Sequence, residues 1–106
     1  MKRVKLCNVD DVQLGTVRRF EPGDGAPAVA VASCDDGLHA VVDNCSHEDY
    51  PLSEGEVFPD LCEIECVRHG STFSLTDGEP QSLPAVKPVR VLALEVVDGD
   101  VWIELP

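Results

Sequence analysis

Two short motifs in the middle of the chain each pair a cysteine with a histidine. The first is a C-x-H motif, Cys45 and His47, and the second is a C-x-x-H motif, Cys66 and His69. A thiol and an imidazole at such spacings can bind zinc, hold an iron–sulfur cluster, or act as a nucleophile and its base. These four residues are therefore the candidate ligands, unless the two motifs never meet in the fold.

The distribution of ligands between the two motifs bears on the metal. A zinc finger usually takes both cysteines from one loop and both histidines from another, whereas here each loop is mixed. Zinc bound by two Cys and two His in any order stays open. A [2Fe–2S] centre in which one iron has two Cys ligands and the other two His ligands also fits, because each loop can supply one ligand to each iron.

Composition limits the class of protein and its partners. A chain of 106 residues is long enough for one domain with its own core, and its formal net charge is -12. Such a charge argues against binding to nucleic acid or to an anionic membrane and favours a basic partner. No segment has the roughly 20 apolar residues of a membrane span. The basic residues at the start of the chain are not followed by the apolar run that a signal peptide has. We expect a cytoplasmic protein whose five cysteines are reduced.

Alternation with a period of two predicts strands at both ends of the chain. An Asp98-Gly99 pair predicts a tight hairpin turn, and Asp10–Leu14 is long enough for a single helical turn only. Between the two β regions lies a long irregular middle, residues 44–88, which carries both motifs. The predicted strands are Val4–Cys7, Thr16–Phe20, Ala28–Ser33, Leu38–Asp43, Val89–Val97 and Asp100–Leu105.

The middle of the chain resembles a known family. The run CSHEDYPLSEGEV, followed by CEIECVRHGSTFSLTDGEPQSLPA, is similar to the Rieske ferredoxins of bacterial ring-hydroxylating dioxygenase systems. Both ligand motifs match, Leu52–Gly55 matches the family's LSEG turn, and Phe73 and Gly78 fit the continuation of the second motif. Ser82–Ala85 looks like the proline loop that covers the cluster. The start, KLCNVDDVQLGTVRRF, resembles the family's first strands.

The resemblance implies an all-β fold of stacked antiparallel sheets, a sandwich or barrel base with an inserted cluster-binding lobe. Residues 1–106 would form a single Rieske domain, with the lobe over residues 44–88. The implied cofactor is one [2Fe–2S] cluster. Its implied ligands are Cys45, His47, Cys66 and His69.

Two departures separate the chain from the respiratory, membrane-bound Rieske proteins. Those proteins have an additional cysteine in each ligand loop, and the two form a disulfide; here the corresponding residues are Tyr50 and Arg68. Their tyrosine that donates a hydrogen bond toward the cluster is Phe73 here, although Ser71 is retained. Since hydrogen bonds to the cluster sulfurs stabilise the reduced state, we expect a potential near the low end of the Rieske range, which runs from about -150 to +300 mV.

The implied function is electron transfer and not catalysis. The protein would pass single electrons from a flavin-containing ferredoxin reductase to a Rieske and mononuclear-iron terminal oxygenase that hydroxylates an aromatic ring. We expect a monomer, because a shuttle must form small, short-lived complexes. Two alternatives remain: a redox module accessory to iron–sulfur assembly or sensing, and a structural zinc module.

Other polar residues receive simpler interpretations. Cys7 and Cys34 are expected to be small core residues, Cys62 a packed or partly exposed thiol, and His39 a surface or edge residue. The acidic residues that flank the first motif could attract a basic partner or form only a solvated loop; they are Asp49, Glu54 and Glu56.

Overall fold

A computed structural model describes residues 2–46, 49–68, 70–83 and 87–106 of the chain. Within these ranges the chain forms ten strands and two short 3-10 turns, Val9–Asp11 and Leu52–Glu54, with no α-helix and hence no helix able to cross a membrane. The strands are β1 (Lys2–Asn8), β2 (Val17–Phe20), β3 (Val29–Cys34), β4 (Gly37–Val42), β5 (Glu56–Phe58), β6 (Glu63–Glu65), β7 (Thr72–Ser74), β8 (Val91–Leu92), β9 (Leu94–Val97) and β10 (Asp100–Leu105).

The strands form three antiparallel sheets. A terminal sheet has the order β1-β10-β9, a central sheet the order β2-β3-β4-β8, and a small sheet the order β5-β6-β7. The expected all-β fold of antiparallel sheets is therefore confirmed.

The central sheet separates two hydrophobic cores. Every residue of β3 is buried, and its side chains alternate between the two faces of the sheet. Val29 and Val31 pack toward the terminal sheet, whereas Ala30 and Ala32 pack toward the small sheet. The main partners on the terminal side are Cys7, Leu92, Val101, Ile103 and Leu105. Those on the small-sheet side are Val41, Cys45, Leu52, Val57, Ile64, Cys66, Phe73, Leu75 and Val89.

The strands predicted at the two ends of the chain are present, with one difference. The predicted strand Val89–Val97 is divided at Ala93, because β8 pairs with β4 of the central sheet while β9 pairs with β10 of the terminal sheet. At the predicted hairpin turn, Asp98 and Gly99 both have positive φ, 51° and 82°, as a type I′ turn requires. The single helical turn expected near Asp10 is the 3-10 turn at Val9–Asp11.

The middle of the chain is more regular than expected. It contains β5, β6 and β7, and each of these strands has only three residues, which is too short for an alternating pattern to be recognised in sequence. The treatment of residues 44–88 as one lobe within a single domain stays a prediction.

Position 78, in the middle of the chain, requires glycine for two reasons. Its φ is +81°, and a Cβ atom there would lie 2.1 Å from the carbonyl oxygen of Val89. The Val89 amide also donates a 2.8 Å hydrogen bond to the Gly78 carbonyl, which ties the end of the middle segment to the turn after β7.

We predict that Gly78→Ala destabilises the protein more than Gly23→Ala does. Gly23 has a similar φ, +87°, but open space around its Cβ position, so it isolates the cost of positive φ, about 1–2 kcal/mol. The backbone clash at Gly78 should add a further cost of about 1–3 kcal/mol. Denaturant unfolding of the two variants measures the difference; equal losses of stability would contradict the close approach.

Candidate metal centre

The two loops that carry the predicted ligands are closed in the same way. The Cys45 amide donates a 2.8 Å hydrogen bond to the Tyr50 carbonyl, and the Cys66 amide donates a 2.7 Å hydrogen bond to the Ser71 carbonyl. Cys45 follows β4, and Cys66 directly follows β6. The two predicted histidine ligands, His47 and His69, occur within these loops in sequence and lie outside the described residues.

Both cysteines are buried in the same core. The exposed fraction is 1% for Cys45 and 0% for Cys66, and both belong to the cluster of side chains beneath the small sheet. A thiolate in such surroundings is costly unless it is bound to a metal. Two buried soft donors, brought from two similar loops into one core, fit the cysteine half of a [2Fe–2S] site.

An aromatic contact connects the two loops. The guanidinium carbon of Arg68 lies 5.7 Å from the centroid of the Tyr50 ring. These are the positions at which the respiratory Rieske proteins, on the resemblance above, have a disulfide. A cation–π contact of this kind contributes about 0.5–1 kcal/mol at exposed sites, so it is a weaker link than a covalent bond.

Two hydrogen bonds connect residues in or near the predicted proline loop, Ser82 and Lys87, to other parts of the chain. The Thr72 amide donates a 3.0 Å hydrogen bond to the Ser82 hydroxyl, and the Ser46 hydroxyl donates a 2.5 Å hydrogen bond to the Lys87 carbonyl. Ser82 therefore lies beside the second loop and Lys87 beside the first. Of the predicted proline loop, Ser82 and Leu83 are described, while residues 84 and 85 lie outside the described ranges.

Asp43 positions the start of the first loop, a role that the sequence reasoning missed. Its carboxylate accepts hydrogen bonds from the Ser53 amide at 2.7 Å and the Ser53 hydroxyl at 2.6 Å. Arg19 of β2 contributes a third contact at 2.9 Å, although its own side chain is half-exposed. The only sequence signal was an acidic residue at the end of a predicted strand, two residues before Cys45.

Gly55, the glycine of the LSEG turn, allows a close approach of two chain segments. A Cβ atom on Gly55 would lie 1.7 Å from the carbonyl oxygen of Glu65, the residue before Cys66. Its φ is ordinary, so space and not backbone conformation requires glycine here. Leu52, at the start of the same turn, is fully buried.

A second group of side chains has the residue types of a metal site and includes none of the four predicted ligands. One ligand atom from each of Cys34, Asp36, His39 and Cys62 lies within 4.8 Å of the others. Cys34 is buried and Cys62 partly exposed, as predicted. His39 is only partly exposed, and its ring is 2.9 Å from the Asp36 carboxylate.

The protonation of this group follows from its surroundings. Burial, and next the hydrogen bond with Cys62, raise the pKa of the Cys34 thiol. The hydrogen bond with His39 lowers the pKa of Asp36. The thiol of Cys34 is therefore protonated at neutral pH in the metal-free chain, and the Asp36 carboxylate is ionised. Burial likewise raises the pKa of Cys7, which lies in the other core.

Comparison with known proteins defines the class. The Rieske [2Fe–2S] domain family matches residues 2–93. Ferredoxin CarAc of Metapseudomonas resinovorans is 38% identical over 100 residues, which cover 94% of this chain and 91% of that protein. The 3-phenylpropionate/cinnamic acid dioxygenase ferredoxin subunit of Escherichia coli K12 is 34% identical over 106 residues, covering 100% of this chain and 96% of the subunit.

A solved structure agrees with these sequence similarities. A chain of the complex of reduced oxygenase and oxidized ferredoxin in carbazole 1,9a-dioxygenase superimposes with a TM-score of 0.87 at 38% identity, covering 95% of this chain and all of that chain. These similarities and the antiparallel sheets define a small iron–sulfur electron carrier, not an enzyme. The chain belongs to the Rieske [2Fe–2S] domain family, and its cofactor is one [2Fe–2S] cluster with Cys and His ligands.

We predict that Asp43→Asn lowers the free energy of unfolding by about 1.5–3 kcal/mol, the contribution of hydrogen bonds to a charged group. The physical reason is that Ser53 and Arg19 lose a shared anionic acceptor. Denaturant unfolding of the cluster-loaded protein measures the change.

Asp49→Asn is the matched control for this substitution. Asp49 lies in the same loop, but it is exposed, and among the described residues its carboxylate accepts only from the Asn44 side chain, at 3.1 Å. Its stability change should stay within about 0.5 kcal/mol. Similar changes in the two variants would show that the Asp43 contacts do not stabilise the loop.

Proposed function

We propose that this protein carries single electrons from a flavin-containing reductase to a terminal oxygenase, with Cys45, His47, Cys66 and His69 as the ligands of its cluster. The observation that carries the proposal is the pair of similarly closed loops that bring two buried cysteines into one core. When bound, the cluster supplies reversible one-electron chemistry. The relatives support the partner, since one of them was solved in complex with an oxygenase.

The surface around the second loop supplies an apolar docking patch. Val67, next to Cys66, is 54% exposed, and Leu83, next to the Ser82 that bonds to Thr72, is 78% exposed. Apolar side chains on a small patch allow a weak complex with rapid release. We infer that the reductase and the oxygenase bind, one after the other, to the patch formed by Val67 and Leu83.

Acidic side chains beside the patch favour a basic partner. Glu56 of β5 and Glu65 of β6 are directly opposite each other, and like charges in that position destabilise a sheet. Neither forms an ion pair with any residue in the described part of the chain. Together with Glu54 and Val67 they line an open groove of about 480 Å³. A cationic partner would relieve this repulsion.

The remaining features of the proposal concern the cell and the assembly. We place the protein in the cytoplasm because none of its five cysteines forms a disulfide. A monomer with neither nucleic acid nor membrane as partner agrees with the net charge of -12 and with the need for brief encounters.

We predict that His47→Ala and His69→Ala each abolish the Rieske-type spectrum, because the outer iron loses an imidazole ligand. His39→Ala is the control, since His39 lies beside Asp36 and Cys62 and belongs to neither motif. Visible absorption, electron paramagnetic resonance and iron content measure the outcome. An unaltered spectrum in either loop variant would overturn the ligand assignment.

We predict that electron transfer to and from this protein slows as salt is added. The experiment mixes the cluster-loaded protein with NADH and a flavin-dependent ferredoxin reductase, follows reduction of the cluster by stopped flow, and then adds an oxygenase and follows reoxidation. The double variant Glu56→Gln, Glu65→Gln should react more slowly at low salt and lose most of the salt dependence. Reoxidation by the oxygenase is favourable only if the potential of this cluster is low, which agrees with the expected position near the low end of the Rieske range.

The control is Glu104→Gln, which changes the charge of an exposed residue on β10 in the terminal sheet. It should leave both rates unchanged. If the cluster is neither reduced by the reductase nor reoxidised by the oxygenase, the shuttle function is wrong. If Glu104→Gln slows transfer as much as the double variant does, the docking surface is wrong and the attraction comes from overall charge.

A further inference from the structure

We propose that Cys34, Asp36, His39 and Cys62 form a second metal site, which binds a single zinc ion and is separate from the [2Fe–2S] cluster. The site would join the turn between β3 and β4 to the turn between β5 and β6. It goes beyond electron transfer and does not depend on it.

The four side chains are already close to coordination geometry. Zinc–sulfur bonds of about 2.3 Å and zinc–nitrogen or zinc–oxygen bonds of about 2.0–2.2 Å separate the ligand atoms of a tetrahedral site by about 3.3–3.8 Å. Here one atom from each side chain lies within 4.8 Å of the others. Asp36 Oδ1 lies 2.9 Å from His39 Nε2 and 3.9 Å from Cys62 Sγ. Small side-chain adjustments bring all four onto one ion.

Regular structure fixes three of the four ligands on one hairpin. Ala32 pairs with His39, and Cys34 lies two residues beyond Ala32 on the same face of β3. Cys34 and His39 therefore both face the small sheet. The turn between them, which begins at Cys34 and returns at Gly37, places Asp36 at the open side of the group. The exposed fraction of its side chain is 64%, which leaves a path for an ion to enter.

The fourth ligand comes from a turn attached to this hairpin. The Asp35 amide donates a 3.1 Å hydrogen bond to the Pro59 carbonyl, and the Leu75 amide donates a 2.8 Å hydrogen bond to the Cys62 carbonyl. The Thr76 hydroxyl lies 3.9 Å from Cys62 Sγ and can donate to it. Such a donor near a thiolate is the kind of contact that orients metal ligands.

The backbone conformation of Cys62 supports the proposed site independently of the distances. Its φ is +54°, in the left-handed region. The other described non-glycine residues with positive φ are Asp24 and Asp98, a residue type that tolerates this region. Cysteine does not, and the conformation costs about 1–2 kcal/mol. Glycine or asparagine would form this turn more easily. The residue present is nevertheless Cys62, whose thiol belongs to the group.

The donor set indicates the ion. Two thiols, one imidazole and one carboxylate suit zinc, which accepts sulfur, nitrogen and oxygen in tetrahedral sites. Magnesium and calcium prefer sites made of oxygen alone. Zinc would displace the proton of the Cys34 thiol, and it would replace the hydrogen bond between His39 and Asp36 with bonds to the ion.

The site is distinct from the cluster loops by topology. Strand β4 begins at the Asp36 turn and leads toward Cys45, and β6 begins after Cys62 and ends before Cys66. Four extended residues span about 13 Å, so Cys62 cannot take part in the same centre as Cys66. The two groups lie at opposite ends of the same strands.

The test uses the cluster-loaded protein in reducing buffer. The protein is equilibrated with zinc chloride, desalted and analysed for zinc and iron, and its zinc affinity is measured by competition with a chromophoric chelator. We expect one zinc ion for each cluster. Cys62→Ser and Asp36→Asn should each weaken zinc binding by at least roughly tenfold while the Rieske signal stays unchanged. Asp36 is exposed, so Asp36→Asn tests the site without a risk to folding.

Cys7→Ala is the matched control, since it removes a buried thiol from the other core and should retain zinc. Failure of the wild-type protein to retain zinc would overturn the proposal, as would unchanged affinity in both ligand variants. A disulfide between Cys34 and Cys62, found by mass spectrometry of protein purified without reductant, would also overturn it. Loss of the Rieske signal together with zinc in Asp36→Asn would show that the two centres are not separate.

Discussion

Strand β3 has no exposed face, and the position of the loop that carries Cys45 depends on it. Its valines fill the core against the terminal sheet, and its alanines lie under the small sheet. A slip of one residue would place valines where only alanine fits and leave the other core underfilled, so burial on both faces fixes the register of β3. The register of β4 follows from β3, and β4 leads directly to Asp43 and Cys45.

Beyond the last residue of β4, side chains replace the backbone ladder in setting the path of the chain. The Asp43 carboxylate connects Arg19 of the central sheet with Ser53 of the 3-10 turn that follows the first loop. The loop is thus held at both ends by one buried acid. The Tyr50 ring then meets Arg68 of the second loop. Polar contacts of this kind are specific in geometry, which suits the two loops that carry the predicted ligands.

The sequence predicted what depends on local pattern and missed what depends on tertiary contact. Alternation in the longer strands, and the Asp98-Gly99 pair, identified most of the central and terminal sheets, because a half-buried strand repeats every two residues. The small sheet has strands of three residues, whose pairing is decided by the core beneath them. The two Cys/His motifs were visible because each places two candidate ligands within three or four residues of sequence.

The second group of ligands shows the same limit. Cys34, Asp36 and His39 are near neighbours in sequence, yet the sequence predicted only a core residue, a residue of a tight turn and a surface or edge residue. Only the turn that brings Cys62 against them gives the group its chemistry. The role of Asp43 was hidden for the same reason, since its partners come from β2 and from the turn after the first loop.

Two features of the small sheet and its turns lower the stability of the fold. A three-stranded sheet of three-residue strands is not stable alone, so its stability comes from the buried side chains of Ile64, Phe73 and Leu75 below it. With that core in place, the sheet tolerates the repulsion between Glu56 and Glu65 on its surface. It also tolerates the left-handed backbone of Cys62 at its other end. The first cost occurs beside the groove proposed to receive a basic partner, and the second in the turn proposed to bind zinc. Strain of this kind persists only where the surrounding packing enforces it, and here the enforcing core is the one that also holds Cys45 and Cys66.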